Sequence, residues 1–425
     1  MIRSRIATLF VFAVVVLSGC SSADDPATST TEPLPAPDFA TGVDWLNVAS
    51  APSIARLEGK VTVVYFWTTS CLSCRDVIDD VERLENEFPE SVVPIGIHTG
   101  RFDAESDAFV IEQFLTRRGL DHAIANDEDY RIWQEWEITN WPTTLVIDQT
   151  GMVTAKHSGD DAYEALEPVV ESLVDDPSAP TNPENVVFTN QPEPPPPTVL
   201  SFPEAVLADP AGGRLFIADT NHHRIVVADL DTNDVLEVIG NGDEGFADGD
   251  ADQASFSEPR GMALSDDGST LYVADSGNHL IREVNLTSRR VATVAGTGER
   301  GRPQEGEPLD SPLNYPWDLE VIDQDLYVSV AGANQIWLVD LAEAELKEAA
   351  GTGQAGVTDG PANNVRLAQP SGLAPFPDDG LVIADAGSSS LRLLGESEVS
   401  ALIGPVTDLF DFGEADGPAA TARFQ

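Results

Sequence analysis

The stretch VTVVYFWTTSCLSCRDVIDDVERLENEF, residues 61–88, joins a strand pattern, a cysteine pair and a helix pattern. VTVVYFW (61–67) is rich in β-branched and aromatic residues, which predicts a buried strand. After Cys74 the apolar residues recur at helical spacing and share one face. They are Val77, Ile78, Val81, Leu84 and Phe88. Cys71 and Cys74 are therefore expected at a strand-to-helix junction.

The segments that follow continue this alternation. SVVPIGIHT (91–99) predicts a second strand and AFVIEQFLTRRG (108–119) a second helix. TTLVIDQTGMVTAKHSG (143–159) predicts two strands joined by a turn, and YEALEPVVESLV (163–174) a closing helix. A β-α-β-α-β-β-α order with Cys-x-x-Cys at its first strand-to-helix junction resembles thioredoxin. The resemblance implies an α/β thioredoxin-like domain over residues 37–174.

The cysteine pair carries the candidate chemistry. At the first turn of a helix, free N–H groups and the helix dipole favour a thiolate at Cys71. Cys74, one turn later, can attack a mixed disulfide formed at Cys71. These positions predict a redox pair with Cys71 as the catalytic nucleophile and Cys74 as the resolving thiol.

Other interpretations of the pair stay open. A zinc half-site would need more ligands, but Cys20 is the one other cysteine and the six histidines form no cluster at ligand spacing. A structural disulfide would close almost no loop and contribute little. A vestigial, inactive pair is the remaining alternative. We expect no metal and no cofactor.

Trp141-Pro142-Thr143 directly precedes the predicted strand TTLVID. An ordinary proline at a strand start is one interpretation. In the thioredoxin family, a cis-proline at this place faces the cysteines and offers a backbone edge to the substrate. The resemblance therefore implies a cis bond before Pro142 and substrate-binding roles for Trp141, Pro142 and Thr143.

A narrower resemblance comes from Ile95-Gly96-Ile97-His98, which is similar to the strand end of extracytoplasmic thioredoxin-like domains of thiol-disulfide reductases. We expect His98 to be structural and to bond nearby backbone, and a proton-relay role is the alternative. Thioredoxin carries a buried aspartate in its active-site strand that helps to deprotonate the resolving cysteine, whereas Tyr65 stands at that position here. Another group, or water, must then assist Cys74.

The N-terminus indicates export. Arg3 and Arg5 precede ATLFVFAVVVL, an apolar run of the length expected for a secretion signal. Leu17-Ser18-Gly19-Cys20 resembles the lipobox of bacterial lipoproteins, although a plain signal peptide is the alternative. The resemblance implies a signal peptide over 1–20, lipidation of Cys20 and a disordered tether over 21–36. The chain would then be anchored to the extracytoplasmic face of a membrane in the cell envelope.

The charge balance limits the partners. The chain has 72 acidic and 23 basic residues and a net charge of −49. Such a surface repels phosphate backbones, so we expect no nucleic-acid partner. A proline-dense segment over 175–198 predicts a stiff linker between two fold classes.

After the linker, four units align by eye. Each carries a proline followed by short strands and Gly/Asp turns, and the prolines, spaced by 54 to 57 residues, are Pro203, Pro259, Pro316 and Pro370. Four strands per unit at this period predict β-propeller blades. DSGNHLI (275–281) contains Asn-His-Leu and resembles the signature of NHL repeats.

That resemblance implies an all-β NHL-type propeller over residues 199–425. It also implies that the motif aspartates tie strand turns together, although ligand contacts are the alternative. The first and fourth units have Asp219 and Asp385 at this position, whereas the third has Val330.

Two further features of this segment carry expectations. An EF-hand beginning at Asp248 would need glycine and glutamate where Gln253 and Pro259 stand, so we expect a solvated connection between blades. Asp416-Gly417 opens the segment that precedes the proline in earlier units. Because NHL propellers typically close with six blades, we expect a C-terminally truncated chain with about four blades, an open arc and poor packing over 405–425.

Both parts together resemble NHL-repeat proteins with an N-terminal thioredoxin-like domain. The leading hypothesis is an envelope-anchored thiol-disulfide oxidoreductase that acts on a protein thiol or disulfide, while the propeller surface recruits a protein partner. The alternative is a non-catalytic, protein-binding scaffold with a passive thioredoxin fold. The repeats contain no convergent set of catalytic acid and base residues, which argues against a propeller hydrolase or lyase.

Overall fold

A computed structural model describes residues 33–180, 198–377, 380–404, 408–409, 413 and 415–424. We call residues 33–180 the α/β half and residues 198–424 the propeller half. The expected signal peptide with Cys20 lies outside the described residues, as do most of the tether and of the proline-rich linker. Much of 405–425 is also outside them, so the expected poor packing there stays a prediction.

The α/β half is built on one mixed sheet of seven strands in the order β1-β7-β6-β3-β4-β5-β2. Its strands are β1 Leu34–Pro35, β2 Asp44–Leu46, β3 Val61–Trp67, β4 Val92–His98, β5 Ala123–Asn126, β6 Thr143–Ile147 and β7 Met152–Ser158. Its helices are α1 Ile54–Leu57, α2 Leu72–Glu87, α3 Ala108–Arg118, α4 Arg131–Glu135 and α5 Ala162–Val174. Central β3 runs parallel to β4 and antiparallel to β6. This is the thioredoxin-like arrangement.

The strand and helix that flank the cysteines follow the sequence pattern. Every residue of β3 is buried, as its continuous apolar run predicts. Helix α2 begins at Leu72, so Cys71 is its N-cap residue. One face of α2 packs into the core through five fully buried side chains, which are Cys74, Val77, Ile78, Val81 and Leu84. The cysteine pair is thus fixed by the same packing that fixes the helix.

Gly96 of β4 leaves room for an aromatic ring on the neighbouring strand. A Cβ at this position would lie 2.6 Å from the Tyr65 hydroxyl oxygen and 2.5 Å from Ile124. The Tyr65 hydroxyl is hydrogen-bonded to Nε2 of His122 at 2.6 Å, and both side chains are buried. The glycine in the Ile-Gly-Ile-His motif therefore leaves the space that the Tyr65 and Ile124 side chains occupy.

The propeller half consists of four antiparallel sheets arranged as propeller blades, as predicted. The first two contain β8 Ala205–Asp209, β9 Arg214–Asp219, β10 Arg224–Asp229 and β11 Val235–Ile239, then β12 Gly249–Asp250, β13 Pro259–Leu264, β14 Thr270–Asp275, β15 Leu280–Asn285 and β16 Arg290–Ala295. The last two contain β17 Pro316–Ile322, β18 Asp325–Val330, β19 Gln335–Asp340 and β20 Glu345–Ala350, then β21 Gly360–Pro361, β22 Pro370–Phe376, β23 Gly380–Asp385, β24 Ser390–Leu394 and β25 Glu398–Ile403. The first strand of each repeat contacts that of the next, so β8, β13, β17 and β22 are the inner strands.

The motif aspartates tie turns inside the first, second and fourth blades, as the resemblance implied. Fully buried Asp275 accepts hydrogen bonds from the Ser257 N–H at 2.7 Å, the Asn278 amide at 2.8 Å and the Arg282 guanidinium at 2.8 Å. Asp219 and Asp385 accept equivalent backbone N–H bonds in the first and fourth blades.

The acidic segment after Asp248 is more than the expected solvated connection. Gly249–Asp250 forms β12 at the outer edge of the second blade, paired with β16. Asp248 accepts hydrogen bonds from Arg282 at 2.6 Å and from the Thr293 hydroxyl at 3.1 Å. Its carboxylate is therefore engaged by the blade.

Candidate active site

Cys71 and Cys74 form a disulfide at the N-terminus of α2, with a Cα–Cα distance of 5.2 Å. The Cys74 N–H donates to Sγ of Cys71 at 3.1 Å, which places that sulfur at the helix cap. Cys74 is fully buried, whereas Cys71 is half-buried. Of the two cysteines, Cys71 is therefore the more exposed.

A buried carboxylate shapes the loop that leads into the cysteines. Glu105 accepts hydrogen bonds from the Ser70 N–H at 2.7 Å, the Phe102 N–H at 3.0 Å, and the hydroxyls of Thr68 at 2.8 Å and Thr69 at 2.9 Å. Burial raises the pKa of Glu105, but these bonds outweigh it and the pKa is lowered. No periodicity or motif in the sequence indicates this role, because Glu105 lies 35 residues beyond Ser70.

The predicted proline segment lies beside the cysteines. The Trp141–Pro142 bond is cis, as predicted. Thr143 opens β6 directly opposite Phe66 near the end of β3, the strand that leads to the cysteine loop. Trp141 lines the same pocket as Cys71. The structure thus places Trp141 in the pocket of the disulfide, with Pro142 and Thr143 next to it in the chain, while the substrate-binding role of all three stays a prediction.

Three buried side chains of the α/β half, those of Tyr65, His98 and His122, are uncharged near neutral pH. Burial raises the pKa of Tyr65 well above its usual value and lowers the pKa of His122 to about 4. Burial likewise lowers the pKa of His98 to about 4, and its ring packs edge-on against Trp67 with the centroids 4.8 Å apart. No backbone bond to the His98 ring nitrogens is present among the described residues, so the predicted reason for its position was wrong.

The propeller half faces the disulfide across a pocket. A pocket of about 250 Å³ is lined on one side by Cys71, Leu72 and Trp141 and on the other by residues of the third and fourth units, including Ala331 and Gln369. Leu72 also packs in an apolar cluster with Ala331 and Tyr315. The candidate site is therefore shared by both halves, which the sequence did not predict.

One position in each repeat contributes to the contact between the two halves. The residue directly before the repeat proline adopts a left-handed backbone with φ between 46° and 51°, and these residues are Phe202, Glu258, Tyr315 and Gln369. Such conformations are uncommon outside glycine and indicate a position held by its surroundings. The N–H of each of the last three donates to a side chain of the preceding blade, namely His223, His279 or Asn334.

Charged groups join the halves through two of these positions. Glu258 is hydrogen-bonded to Arg75 and forms ion pairs with Arg118 at 3.3 Å and Arg117 at 3.8 Å. Burial raises the pKa of Glu258, but the three guanidinium groups outweigh it and lower the pKa to about 2. The Tyr315 hydroxyl donates to Asp76 at 2.8 Å.

Comparison with known proteins supports both halves. Residues 59–153 match the family described as thioredoxin-like. The chain is 34% identical over 411 residues to Protein SUPPRESSOR OF QUENCHING 1, chloroplastic, of Arabidopsis thaliana, covering 92% of this chain and 39% of that protein. It is 31% identical over 429 residues to NHL repeat-containing protein 2 of Gallus gallus, covering 92% and 58%.

A shorter match concerns the α/β half. Thiol-disulfide oxidoreductase ResA of Halalkalibacterium halodurans is 26% identical over 120 residues, which cover 28% of this chain and 66% of that protein. The chain thus combines a thioredoxin-like domain, whose relatives include thiol-disulfide oxidoreductases, with a four-blade NHL-type propeller. It spans 39% and 58% of the first two relatives. Within the described ranges, no helix is long and apolar enough to cross a membrane.

Proposed function

We propose that this protein is a thiol-disulfide oxidoreductase in which Cys71 exchanges disulfides with a protein substrate and Cys74 resolves the mixed disulfide. The observation that carries this proposal is the Cys71–Cys74 disulfide at the cap of α2, with Cys71 half-buried and Cys74 fully buried. The helix terminus favours a thiolate at Cys71 when the disulfide opens.

The exchange proceeds in two balanced steps. A substrate thiolate attacks Sγ of Cys71, the Cys71–Cys74 bond breaks, and Cys74 leaves as a thiolate. A second substrate thiolate then attacks the substrate sulfur of the mixed disulfide, which forms the substrate disulfide and releases Cys71 as a thiolate. Two electrons pass from the substrate to the cysteine pair, and the reverse sequence reduces a substrate disulfide.

The proposal extends to place and partner. The lipobox-like Leu17–Cys20 supports a lipid anchor at Cys20 and a position on the extracytoplasmic face of the membrane, where disulfides persist. The propeller half recruits the protein partner. Trp141, Pro142 and Thr143 provide the edge against which the reacting segment lies.

The test is disulfide exchange by the full chain with insulin or a scrambled disulfide substrate. We expect Cys71→Ser to abolish exchange and Cys74→Ser to accumulate a mixed disulfide at Cys71, because resolution then fails. Ser73→Ala, between the cysteines, is the matched control and should keep activity. Full activity of Cys71→Ser, or an inactive wild-type chain that still binds a protein partner, would favour the scaffold hypothesis instead.

A further inference from the structure

A second, larger cavity lies between the halves next to the disulfide pocket. It has a volume of about 380 Å³, within the range of small-molecule sites. Ser70, Leu72 and Arg101 line both this cavity and the pocket that contains Cys71. We call it the arginine cavity, after the five arginines on its wall, which are Arg75, Arg101, Arg117, Arg118 and Arg260.

The concentration of positive charge is unusual for this chain. Of the 23 basic residues in a protein of net charge −49, five converge on this one cavity. The nearby carboxylates are fewer, namely Glu105, Glu204, Glu258 and Asp79. Glu105 already accepts hydrogen bonds from the cysteine loop, and the Asp79 side chain is half exposed. The cavity therefore keeps an excess of positive charge.

Three of the arginines are also incompletely satisfied. Among the described residues, the buried Nε atoms of Arg75, Arg117 and Arg260 have no hydrogen-bond partner. Arg260 is only 3% exposed. Burial and the neighbouring guanidinium groups of Arg75 and Arg117 lower its pKa. Unpaired buried donors and crowded like charges are costly, and a bound anion would relieve both.

Both halves contribute the rest of the wall. The residue directly after the repeat proline reaches the cavity in all four units, namely Glu204, Arg260, Trp317 and Ser371. The Arg260 guanidinium stacks over the Trp317 ring at 3.8 Å from its centroid. Phe102 and Phe114 of the α/β half face the same space. An aromatic wall with fixed guanidinium groups suits an anion that has an apolar body.

We propose that the arginine cavity binds a small organic anion, in which a carboxylate is held by the guanidinium groups and an apolar body lies against the aromatic wall. Guanidinium groups pair with carboxylates through two parallel hydrogen bonds, which gives this chemistry its strength. The position beside Cys71 would bring such a ligand next to the disulfide. The proposal does not depend on thiol exchange, because binding requires no reaction at sulfur.

Isothermal titration calorimetry of the full chain tests the proposal with phenylacetate and its neutral amide, phenylacetamide. We expect phenylacetate to bind and phenylacetamide to bind at least about tenfold more weakly, since only the carboxylate pairs with arginine. Equal binding of the two, no binding of phenylacetate, or tighter binding of inorganic phosphate would overturn the proposal. Binding of tetraglutamate without binding of phenylacetate would also overturn it, because the site would then recognise acidic peptide instead of a small anion.

Variants locate the binding site. We expect Arg260→Gln and Arg101→Gln each to weaken phenylacetate binding at least about tenfold, whereas Arg290→Gln, an exposed arginine on β16, leaves it unchanged. Unchanged affinity in the first two variants would overturn the assignment. If Arg260→Gln fails to fold, the affinity of Arg101→Gln for phenylacetate and the comparison of phenylacetate with phenylacetamide still test the proposal. Cys71→Ser should keep phenylacetate binding while losing exchange activity, so failure of this proposal is distinguishable from failure of the proposed function.

Discussion

A single carboxylate, that of Glu105, accepts hydrogen bonds from two segments, the loop before Cys71 and residues 101–102. Besides Ser70 and Phe102, the Arg101 N–H also donates to it, at 2.7 Å. Hydrogen bonds to a charged acceptor are stronger than neutral ones, and a buried N–H that loses its acceptor is costly. The conformation of the loop before Cys71 therefore depends on a residue in another segment.

Replacing Glu105 by glutamine tests this dependence. We expect Glu105→Gln to lower the free energy of unfolding by about 2 kcal/mol and to slow disulfide exchange, because the amide nitrogen cannot accept from the loop N–H groups. Denaturant unfolding and the exchange assay measure the two effects. Glu112→Gln, on the exposed side of α3, is the matched control. Equal stability of both variants would contradict the role assigned to Glu105.

Among the strands, the second and third blades place different pairs of residues at the same two buried positions. The second blade has a buried pair of opposite charge, Asp275 and Arg282, seven residues apart and both fully buried. The third blade has Val330 and Trp337 at the corresponding places, also buried. Buried ion pairs can often be replaced by apolar residues of matching volume, whereas removal of one partner leaves an unpaired charge.

This comparison predicts strong coupling between the two positions. We expect Asp275→Val alone to cost about 3–5 kcal/mol, because Arg282 then stays buried without its partner. The double variant Asp275→Val/Arg282→Trp should cost less than the sum of the single variants. Unfolding free energies of the four proteins in the cycle measure this coupling. Strictly additive costs would show that the aspartate acts through its other contacts alone.

The elements differ in how far the sequence could predict them. β3 and the register of α2 followed from apolar patterns long enough to be distinctive. β5 (Ala123–Asn126) and α4 (Arg131–Glu135) were missed, because four or five residues carry too little periodicity. The repeat prolines predicted the blades. They did not predict that the residues directly after them line a cavity, because the sequence of a repeat does not show where the α/β half docks.

The candidate active site, like the elements, could be predicted only in part from the sequence. The cysteine pair and the cis-proline depend on short motifs, so the sequence located both. The ion pair between Arg75 and Glu258 joins residues 183 positions apart, and no local pattern indicates such a contact. Twin arginines at 117 and 118 did not indicate the interface by themselves, because the equally adjacent Arg289 and Arg290 are exposed.

At the scale of the whole molecule, buried charges hold the two halves together. Three arginines of the α/β half surround Glu258 of the propeller half, and its side chain is only 13% exposed. Removing one partner of such a group leaves the others uncompensated. The docking of the halves should therefore depend on the ionisation of this carboxylate.

The pH dependence follows from the direction of its pKa shift. With the pKa lowered from 4.5 to about 2, ionised Glu258 contributes stability above pH 4.5 that is lost as pH falls toward 2. We expect the difference in unfolding free energy between wild type and Glu258→Gln to shrink by up to about 3 kcal/mol between pH 5 and pH 2. Glu237→Gln, on β11, is the comparison variant. A constant difference for Glu258→Gln would contradict the ionic docking.

The gathering of arginines at the interface has a kinetic consequence. With Arg300, which pairs with Asp76 and Asp160, six arginines lie where the halves meet, so the outer surface is left strongly acidic. An approaching anion is first repelled by the long-range field and attracted only at close range. Because dissolved ions screen distant charges more than buried ones, raising the ionic strength should speed arrival even as it weakens retention.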